Sequence, residues 1–305
     1  MPTPPPLSPL SPLSPVPSRR AGPAARRRRA VALLLLSAGL AWSAGAWADL
    51  ARIRESGRLK VAVYKAFAPF SDVVDGKPTG VDVAIAEALS RQLNLSLTLL
   101  PFDADENMAD DLRNMVWRGH YLGYGPADVM LHVPVDRAFM RENDKATIFA
   151  PYYREQFVLV HDTARLPQIR DLADLAGLPV GAEAGSAGAN ALLAGAGGTL
   201  RDKVRIYPSP RDTLRALFAG EIAAAMVTRS QYESALKADG RTASQYAAAE
   251  VSSPLLPPRG WAVGMAVKAD NAELADAVQR AVDTLRGNGE LQKIFTAAGL
   301  TPVAP

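Results

Sequence analysis

Residues 59–102, "LKVAVYKAFAPFSDVVDGKPTGVDVAIAEALSRQLNLSLTLLPF", decide the fold. Their first six residues (59–64) are rich in β-formers and predict a strand. Apolar side chains then recur at helical spacing over 81–95, and a second strand is predicted over 96–102. A strand, a helix and a strand in that order predict a parallel pair joined by a right-handed crossover.

The same alternation continues to the end of the chain. Further strands are predicted over 127–132, 156–161, 178–185, 204–209, 223–228 and 261–267. Further helices are predicted over 189–194, 210–220, 229–238, 271–286 and 289–298. Two strand–helix series, with a last strand and two helices left over, predict an α/β fold of two lobes. Each lobe is expected to hold a mixed, mainly parallel sheet flanked by helices, with a cleft between the lobes.

The first 48 residues have the pattern of an export signal. Residues 2–17 are Pro/Ser/Leu-rich, four arginines occupy 26–29, and a run of thirteen residues, "AVALLLLSAGLAW", follows at 30–42. That run is shorter than the roughly 20 residues that span a bilayer. Small residues in "AWA" (46–48) fit a cleavage site, so we expect a periplasmic protein that begins at Asp49.

Charge and cysteine content exclude several classes of function. Six of the 34 basic residues and none of the 31 acidic ones lie in the leader, so the rest has 28 basic against 31 acidic residues. The basic character therefore belongs to the leader and gives no indication of nucleic-acid binding. The chain has no cysteine, which excludes disulfides, thiolate catalysis and cysteine metal sites.

Five blocks resemble, in order, the type II periplasmic solute-binding proteins of the amino-acid-binding family. They are 59–102, "FAPYYREQFVLV" (149–160), "LAGLPVGAEAGSAGANALL" (175–193), "YPSPRDTLRALFAGEIAAAMV" (207–227) and "GWAVGMAVKADNAELADAVQRAVDTLRGNGELQKIF" (260–295). The resemblance covers nearly all of 52–298. It implies one lobe from 49–155 plus 261–305, a second from 156–260, and a ligand cleft at the hinge between them.

The polar anchors of an amino-acid site are mostly replaced. Where the family keeps an arginine for the substrate carboxylate this chain has Met140, and the two positions that normally carry aspartates are Ala223 and Thr228. Arg137 lies near Met140 in the sequence. Ser186 matches a hydroxyl residue at a helix start, where free N–H groups bind anions, although it fits a plain helix cap equally well. The cleft candidates are Tyr64, Phe67, Phe70, His132, Arg137, Ser186 and Thr228, of which the two phenylalanines fit a core role as well.

An expanded segment over 103–126 makes the chain resemble one branch of that family most closely. This branch comprises the J proteins (MxaJ and XoxJ) and relatives associated with PQQ-dependent methanol and alcohol dehydrogenases. The resemblance implies a non-catalytic accessory factor that binds the dehydrogenase or its cytochrome c and carries no cofactor itself. The match is most specific over 101–136.

Each feature of the expanded segment has two interpretations. Its acids are oxygen ligands suited to calcium, but their spacing lacks the turns of a calcium loop, and the helix dipole favours acids there in any case. His120 and His132 either meet in the cleft or are separately hydrogen-bonded. Trp117, Tyr121 and Tyr124 are either core residues or contact residues, since aromatics give large contact area at low entropy cost. The partner-surface candidates are Asp105, Glu106, Asp110, Asp111, Trp117, His120, Tyr121 and Tyr124.

Three classes of function therefore stand at this point. The first is the dehydrogenase accessory factor, and the second is a receptor of an ABC transporter for a small, non-standard ligand. The third, an enzyme on the same fold, would need carboxylates of shifted pKa inside the cleft, and Glu183 is its one candidate in the second lobe. We expect no enzyme, no metal and no cofactor. A neighbouring permease gene would favour the receptor, and a neighbouring quinoprotein dehydrogenase gene the accessory factor.

Overall fold

The computed structural model describes residues 49–305, so the export signal predicted over 1–48 lies outside the described residues. Its strands are β1 (Arg58–Tyr64), β2 (Ala66–Phe67), β3 (Ser71–Val74), β4 (Lys77–Thr79), β5 (Ser96–Phe102), β6 (Val129–Pro134), β7 (Ala146–Glu155), β8 (Phe157–Asp162), β9 (Val180–Glu183), β10 (Val204–Tyr207), β11 (Ala224–Thr228), β12 (Tyr246–Ala249) and β13 (Trp261–Lys268). Its helices are α1 (49–56), α2 (Val81–Gln92), α3 (Met108–Leu112), α4 (Arg137–Glu142), α5 (Ala187–Ala194), α6 (Pro210–Phe218), α7 (Arg229–Ala238), α8 (Ala272–Gly287) and α9 (Glu290–Ala298).

The strands form two five-stranded sheets and one small sheet. Sheet I has the order β5-β1-β6-β13-β7, and sheet II has the order β10-β9-β11-β8-β12. In each of them two neighbouring pairs are parallel and two are antiparallel, so the sheets are mixed in equal parts. The antiparallel pairs arise because β7, β8, β12 and β13 carry the chain between the sheets. The small sheet is the meander β2-β3-β4 that follows β1.

Both faces of each large sheet are covered, as the strand patterns require. In β1, Leu59, Val61 and Val63 point into one apolar cluster, while Ala62 and Tyr64 point into another. Sheet II divides in the same way, with Leu159 of β8 in one cluster and Val158 and Val160 in the other. Alternate side chains of a strand face opposite sides of a sheet, so these runs are apolar throughout because both sides are buried.

The expanded segment holds one short α-helix followed by a π-helical turn. α3 starts at Asn107, whose side chain accepts hydrogen bonds from the backbone N–H groups of Ala109 and Asp110, and the chain continues as a π-helical turn over Arg113–Trp117. Such turns are rare and occur frequently at functional sites. Within residues 49–305, no helix is both long enough and apolar enough to span a membrane.

Candidate ligand cleft

The connections between the sheets bring their carboxyl edges together. β7 is antiparallel to β13, which is antiparallel to β6, so β7 ends at the same edge as the parallel strands β1, β5 and β6. One residue, Gln156, then leads into β8, whose first residue pairs with the last residue of β11. The return segment 250–260 enters β13 beside Glu155. Open α/β sheets bind ligands outside the carboxyl ends of their strands, so the cleft lies where such a site is expected.

A pocket of about 300 Å³ opens at this edge of sheet I. Tyr64 at the end of β1, Phe67 of β2 and His132 of β6 form its aromatic wall, and Met108 contributes from α3. Lys65 and Asp103 also line it, and they form an ion pair with each other at 2.8 Å. The pocket is therefore mainly apolar, and the two charged groups that border it are already paired.

Two β-bulges place polar side chains behind this wall. The pairing between β6 and β13 skips His132, because Val133 faces Gly264 while Leu131 faces Met265. On the other side of β13, the register between β7 and β13 shifts around Gly264 as well, and Tyr152 lies in that irregular stretch. Bulges re-aim side chains and are over-represented near active sites.

Gly264 makes the double bulge possible. A Cβ atom on it would lie 2.5 Å from the backbone oxygen of Phe149 and 2.7 Å from Cγ2 of Val135. Those distances are far inside ordinary contact, so no larger residue fits between the two bulges without moving backbone. His132 itself has φ +62°, a left-handed conformation for which histidine is one of the more tolerant residues.

The bulges bring His132 and Tyr152 to the buried carboxylate of Asp82. The Tyr152 hydroxyl donates to Oδ1 at 2.7 Å, and Nδ1 of His132 lies 3.2 Å from Oδ2. The backbone N–H of His132 donates to the Tyr152 hydroxyl at 3.1 Å, which closes the cluster. Asp82 lies in the first turn of α2, where the helix dipole favours a negative charge. Burial and the Asp82 charge raise the pKa of Tyr152 well above its usual value, so Tyr152 remains a donor.

Aromatic rings hold the His132 imidazole from two sides. The ring centroid of Phe67 lies 4.6 Å away in an edge-on arrangement, and that of Phe70 lies 4.2 Å away. Phe70 is fully buried in the core, whereas Phe67 has 36% of its surface exposed. Phe67 is thus the member of the pair that lines the pocket, and Phe70 packs against the imidazole from within the core.

At the carboxyl edge of sheet II, the two candidate residues Ser186 and Thr228 are N-caps of helices α5 and α7. Ser186 accepts from the backbone N–H of Ala189 at 3.0 Å, and Thr228 caps α7 in a reciprocal arrangement with Gln231. The helix-cap interpretation of Ser186 thus fits the structure. Arg137 is exposed at the start of α4 and forms no hydrogen bond within the part of the chain that the structure describes.

The positions that would anchor an amino acid are used for packing. Met140 is half-buried against the Tyr64 side of the sheet I core, and Ala223 is buried. Glu183, the carboxylate considered for catalysis, is half-buried at the end of β9, and burial raises its pKa.

A buried carboxylate lies at the hinge. Glu155, the last residue of β7, accepts a hydrogen bond from the hydroxyl of Ser230 in α7 and another from the backbone N–H of Gln156 at 3.0 Å. Burial raises the pKa of Glu155. The Phe157 and Trp261 rings, one on each crossing segment, lie 5.6 Å apart. Contacts from both sheets therefore stabilise the crossing at Glu155 and Gln156.

The expanded segment divides into a buried part and an exposed part. Asp111 is buried and accepts from the Tyr64 hydroxyl at 2.8 Å and from the backbone N–H of Asp105 at 2.8 Å; burial raises its pKa. It is therefore no surface charge, contrary to the sequence prediction. Trp117 is half-buried against the same core cluster, so it packs within the fold.

The exposed part is an aromatic stack. His120 lies between Tyr124 and Tyr121, with ring centroids 4.2 Å and 4.3 Å away. Tyr121 is 88% exposed, and Leu122 beside it is also exposed. We call residues 120–124 the aromatic loop. With Asp105 they border a second pocket of about 220 Å³.

The structure separates the two histidines that the sequence would allow to meet. His120 lines the pocket of the aromatic loop, whereas His132 lines the pocket at Tyr64 and Phe67. Among the residues described, no group of three or more histidine or acidic side chains is arranged to hold a metal ion. Glu106 is exposed, and Asp110 pairs with Arg113 at 2.5 Å.

Comparison with known proteins identifies the fold. No family model and no curated protein matches the chain. Among solved structures, a polar amino acid ABC uptake transporter substrate-binding protein from Streptococcus thermophilus matches at 22% identity and TM-score 0.64, over 83% of this chain and 90% of that one. The chain has the two-lobed fold of the type II solute-binding proteins.

Two further neighbours support the same conclusion. A Streptococcus pneumoniae ABC uptake transporter substrate-binding protein with bound histidine matches at 19% identity and TM-score 0.62, covering 84% of this chain and 98% of that one. Substrate-binding domain 2 of Lactococcus lactis GlnP, in its open conformation, matches at 24% identity and TM-score 0.60, covering 80% and 95%. At such identities the likeness establishes the fold and leaves the ligand of this chain open.

Sequence reasoning missed four residues of the site. Asp82 lies in a segment whose apolar pattern predicts only a helix, and Gly264 lies within a predicted strand. Tyr152 and Glu155 lie in β7, where no strand was predicted. One signal was present for Gly264, since an isolated glycine inside a strand indicates a bulge or a close backbone approach.

Proposed function

We propose that the protein is a periplasmic receptor for a small, non-standard solute, of the kind that serves an ABC transporter. The observation that carries this proposal is the aromatic pocket of Tyr64, Phe67 and His132 at the carboxyl edge of sheet I, opposite the carboxyl edge of sheet II. We assign 49–155 with 261–305 to one lobe and 156–260 to the other. The solved neighbours, which are transporter binding proteins, support this function.

The ligand we propose is not a standard amino acid. A zwitterion needs a cation for its carboxylate and an acceptor for its ammonium group. At the matching positions Met140 and Ala223 take part in packing, and the hydroxyl of Thr228 caps a helix. Desolvating a zwitterion in this cleft without such partners is unfavourable.

A ligand screen on the exported protein tests the proposal. At a ligand concentration of 100 times Kd, binding stabilises the folded state by about 2.7 kcal/mol, which raises the melting temperature by roughly 5–10 °C for a chain of this size. We expect at least one small solute to produce such a shift, and Phe67→Ala to reduce it. Sub-micromolar binding of a common L-amino acid in calorimetry would disprove the non-standard ligand.

The aromatic loop favours a second candidate, the accessory factor of a PQQ-dependent dehydrogenase. Exposed Tyr121 and Tyr124 beside acidic Asp105 and Glu106 have the composition of a contact surface. If this function is right, Tyr121→Ala reduces capture of the cognate dehydrogenase or its cytochrome c without changing the melting temperature. A permease gene beside this one, with no dehydrogenase gene, would count against it.

We propose no catalytic role for either candidate. Burial raises the pKa of Glu183. The polar cluster of Asp82, His132 and Tyr152 lies beside sheet I instead, and among the described residues no hydrogen bond joins Glu183 to it. The solved neighbours are likewise binding proteins.

A further inference from the structure

One nitrogen of His132 is left for a ligand. Nδ1 is engaged by Asp82, and Nε2 forms no hydrogen bond with any residue of the described part of the chain. His132 lines the pocket beside Tyr64 and Phe67, and 9% of its side-chain surface is exposed. Nε2, the ring nitrogen that Asp82 does not engage, is the atom we assign to the pocket.

Asp82 determines which of the two ring nitrogens of His132 carries the proton. Both carboxylate oxygens accept, one from the Tyr152 hydroxyl at 2.7 Å and one from Nδ1 of His132 at 3.2 Å. A carboxylate has no proton to donate, so the neutral imidazole must carry its proton on Nδ1. The nitrogen presented to the pocket is then an acceptor.

The rest of the pocket suits a flat, apolar body. Phe67 stands edge-on to His132, and Tyr64 lies 5.6 Å from Phe67, ring centroid to ring centroid. The volume of about 300 Å³ is at the lower end of the range for small-molecule pockets, which limits the ligand to one or two rings. Lys65 and Asp103 at the rim form an exposed ion pair with each other.

We propose that His132, oriented by Asp82, is the specificity-determining residue of this pocket, and that it selects a small aromatic solute bearing a hydroxyl or ring N–H donor. The inference rests on the proposed receptor function and names its ligand class. His132 contacts the ligand, whereas Asp82 is a positioning residue that acts through the imidazole.

Matched pairs of probes test the proposal. Calorimetry of the exported protein compares 4-methylphenol with 4-methylanisole and indole with 1-methylindole. Each pair differs by one methyl group on the donor. Because an unpaired acceptor in a desolvated site is costly, we expect the donor to bind about 10- to 100-fold more tightly. Equal affinity within each pair overturns the proposal.

Three variants separate recognition from folding. His132→Phe keeps a ring against Phe67 and is expected to bind both members of a pair alike, while His161→Phe, the same change in sheet II, keeps the preference. Asp82→Asn presents an amide N–H to Nδ1, which moves the ring proton to Nε2. That variant should lose affinity for indole and gain it for acetophenone, which only accepts. A purely structural role for Asp82 predicts no such reversal.

A direct measurement covers the case in which His132→Phe, at φ +62°, does not fold. The chain has three histidines, so their ¹⁵N signals are readily assigned. We expect His132 in the Nδ1–H form, with an Nε2 shift on addition of indole; an Nε2–H form refutes the proposal. If neither pair binds but another solute does, the ligand class is wrong and the receptor function stands. If no small solute binds, both are wrong.

Discussion

Gly264→Ala should destabilise the protein, because it adds a methyl group where the two bulges leave no room for one. The new Cβ would lie 2.5 Å from the backbone oxygen of Phe149 and 2.7 Å from Cγ2 of Val135. Carbon contacts are favourable near 3.5–4 Å, so backbone on one side and a side chain on the other must each retreat by about 1 Å. Overpacking of this kind costs about 1–3 kcal/mol, and two clashes with little freedom place this variant near 2–3 kcal/mol.

Differential scanning calorimetry measures the effect. A change of 1 kcal/mol shifts the melting temperature by about 2–4 °C in a chain of this size, so we expect a decrease of roughly 4–12 °C. Gly287→Ala is the matched control, because a Cβ there meets nothing within 4 Å and the residue is helical. Alanine is the better helix former, so the control should melt at the wild-type temperature or slightly above it.

A Gly264→Ala variant that melts within about 2 °C of the wild type would refute this reasoning. It would mean that the bulges at His132 and Tyr152 relax without the glycine, and that the Asp82 cluster does not depend on it. The His132 ¹⁵N signal read on the same sample shows whether the imidazole has kept its proton on Nδ1.

Three further changes give separate tests. Burial raises the pKa of Glu155 above the usual value of 4.5. The stability that this group contributes is therefore present below pH 4.5 and is lost as pH rises through the raised pKa. Glu155→Gln should raise the melting temperature above that of the wild type at pH 8 and should not do so at pH 4. Trp117→Ala should lower the free energy of unfolding by about 2 kcal/mol for a half-buried ring, whereas the exposed Tyr121→Ala should change it by less than about 0.5 kcal/mol, as thermal melts will show. Thr228→Ala should cost about 1 kcal/mol as a lost helix cap and leave ligand affinity unchanged, and altered affinity in calorimetry would contradict the cap assignment.

The strand–helix pattern predicted most of the regular elements because both faces of the sheets are buried. Strand 96–102 and helix 229–238 have the predicted bounds, and helix 81–95 ends three residues early at Gln92. β7 was missed for a physical reason, since Pro151 interrupts "ATIFAPYYRE" and proline is normally excluded from a strand interior. In the structure this proline lies in the irregular stretch beside Gly264, where no ladder hydrogen bond is required of it.

Sequence patterns could not predict the polar cluster. Asp82, His132 and Tyr152 are separated by 50 and 20 residues and meet only because two bulges occur at the same level of β13. A bulge changes which face a side chain occupies, so strict alternation assigns such residues wrongly. Trp117 illustrates the converse, because an aromatic that precedes a glycine-rich segment has the composition of a contact surface even when its side chain packs against the core.

The same cluster distinguishes the two proposed functions. A carboxylate that is 1% exposed contributes less stability than an apolar group of the same shape would, even when it is fully hydrogen-bonded. Two bulges and a left-handed histidine add further strain at the same place, and strain of this kind concentrates where a ligand is held. An accessory factor that binds its partner through the aromatic loop has no use for a polar cluster behind the other pocket. The proposed receptor does, because the cluster orients the imidazole that lines the pocket. The cluster is therefore an argument for the proposed receptor over the accessory factor that does not depend on the solved neighbours.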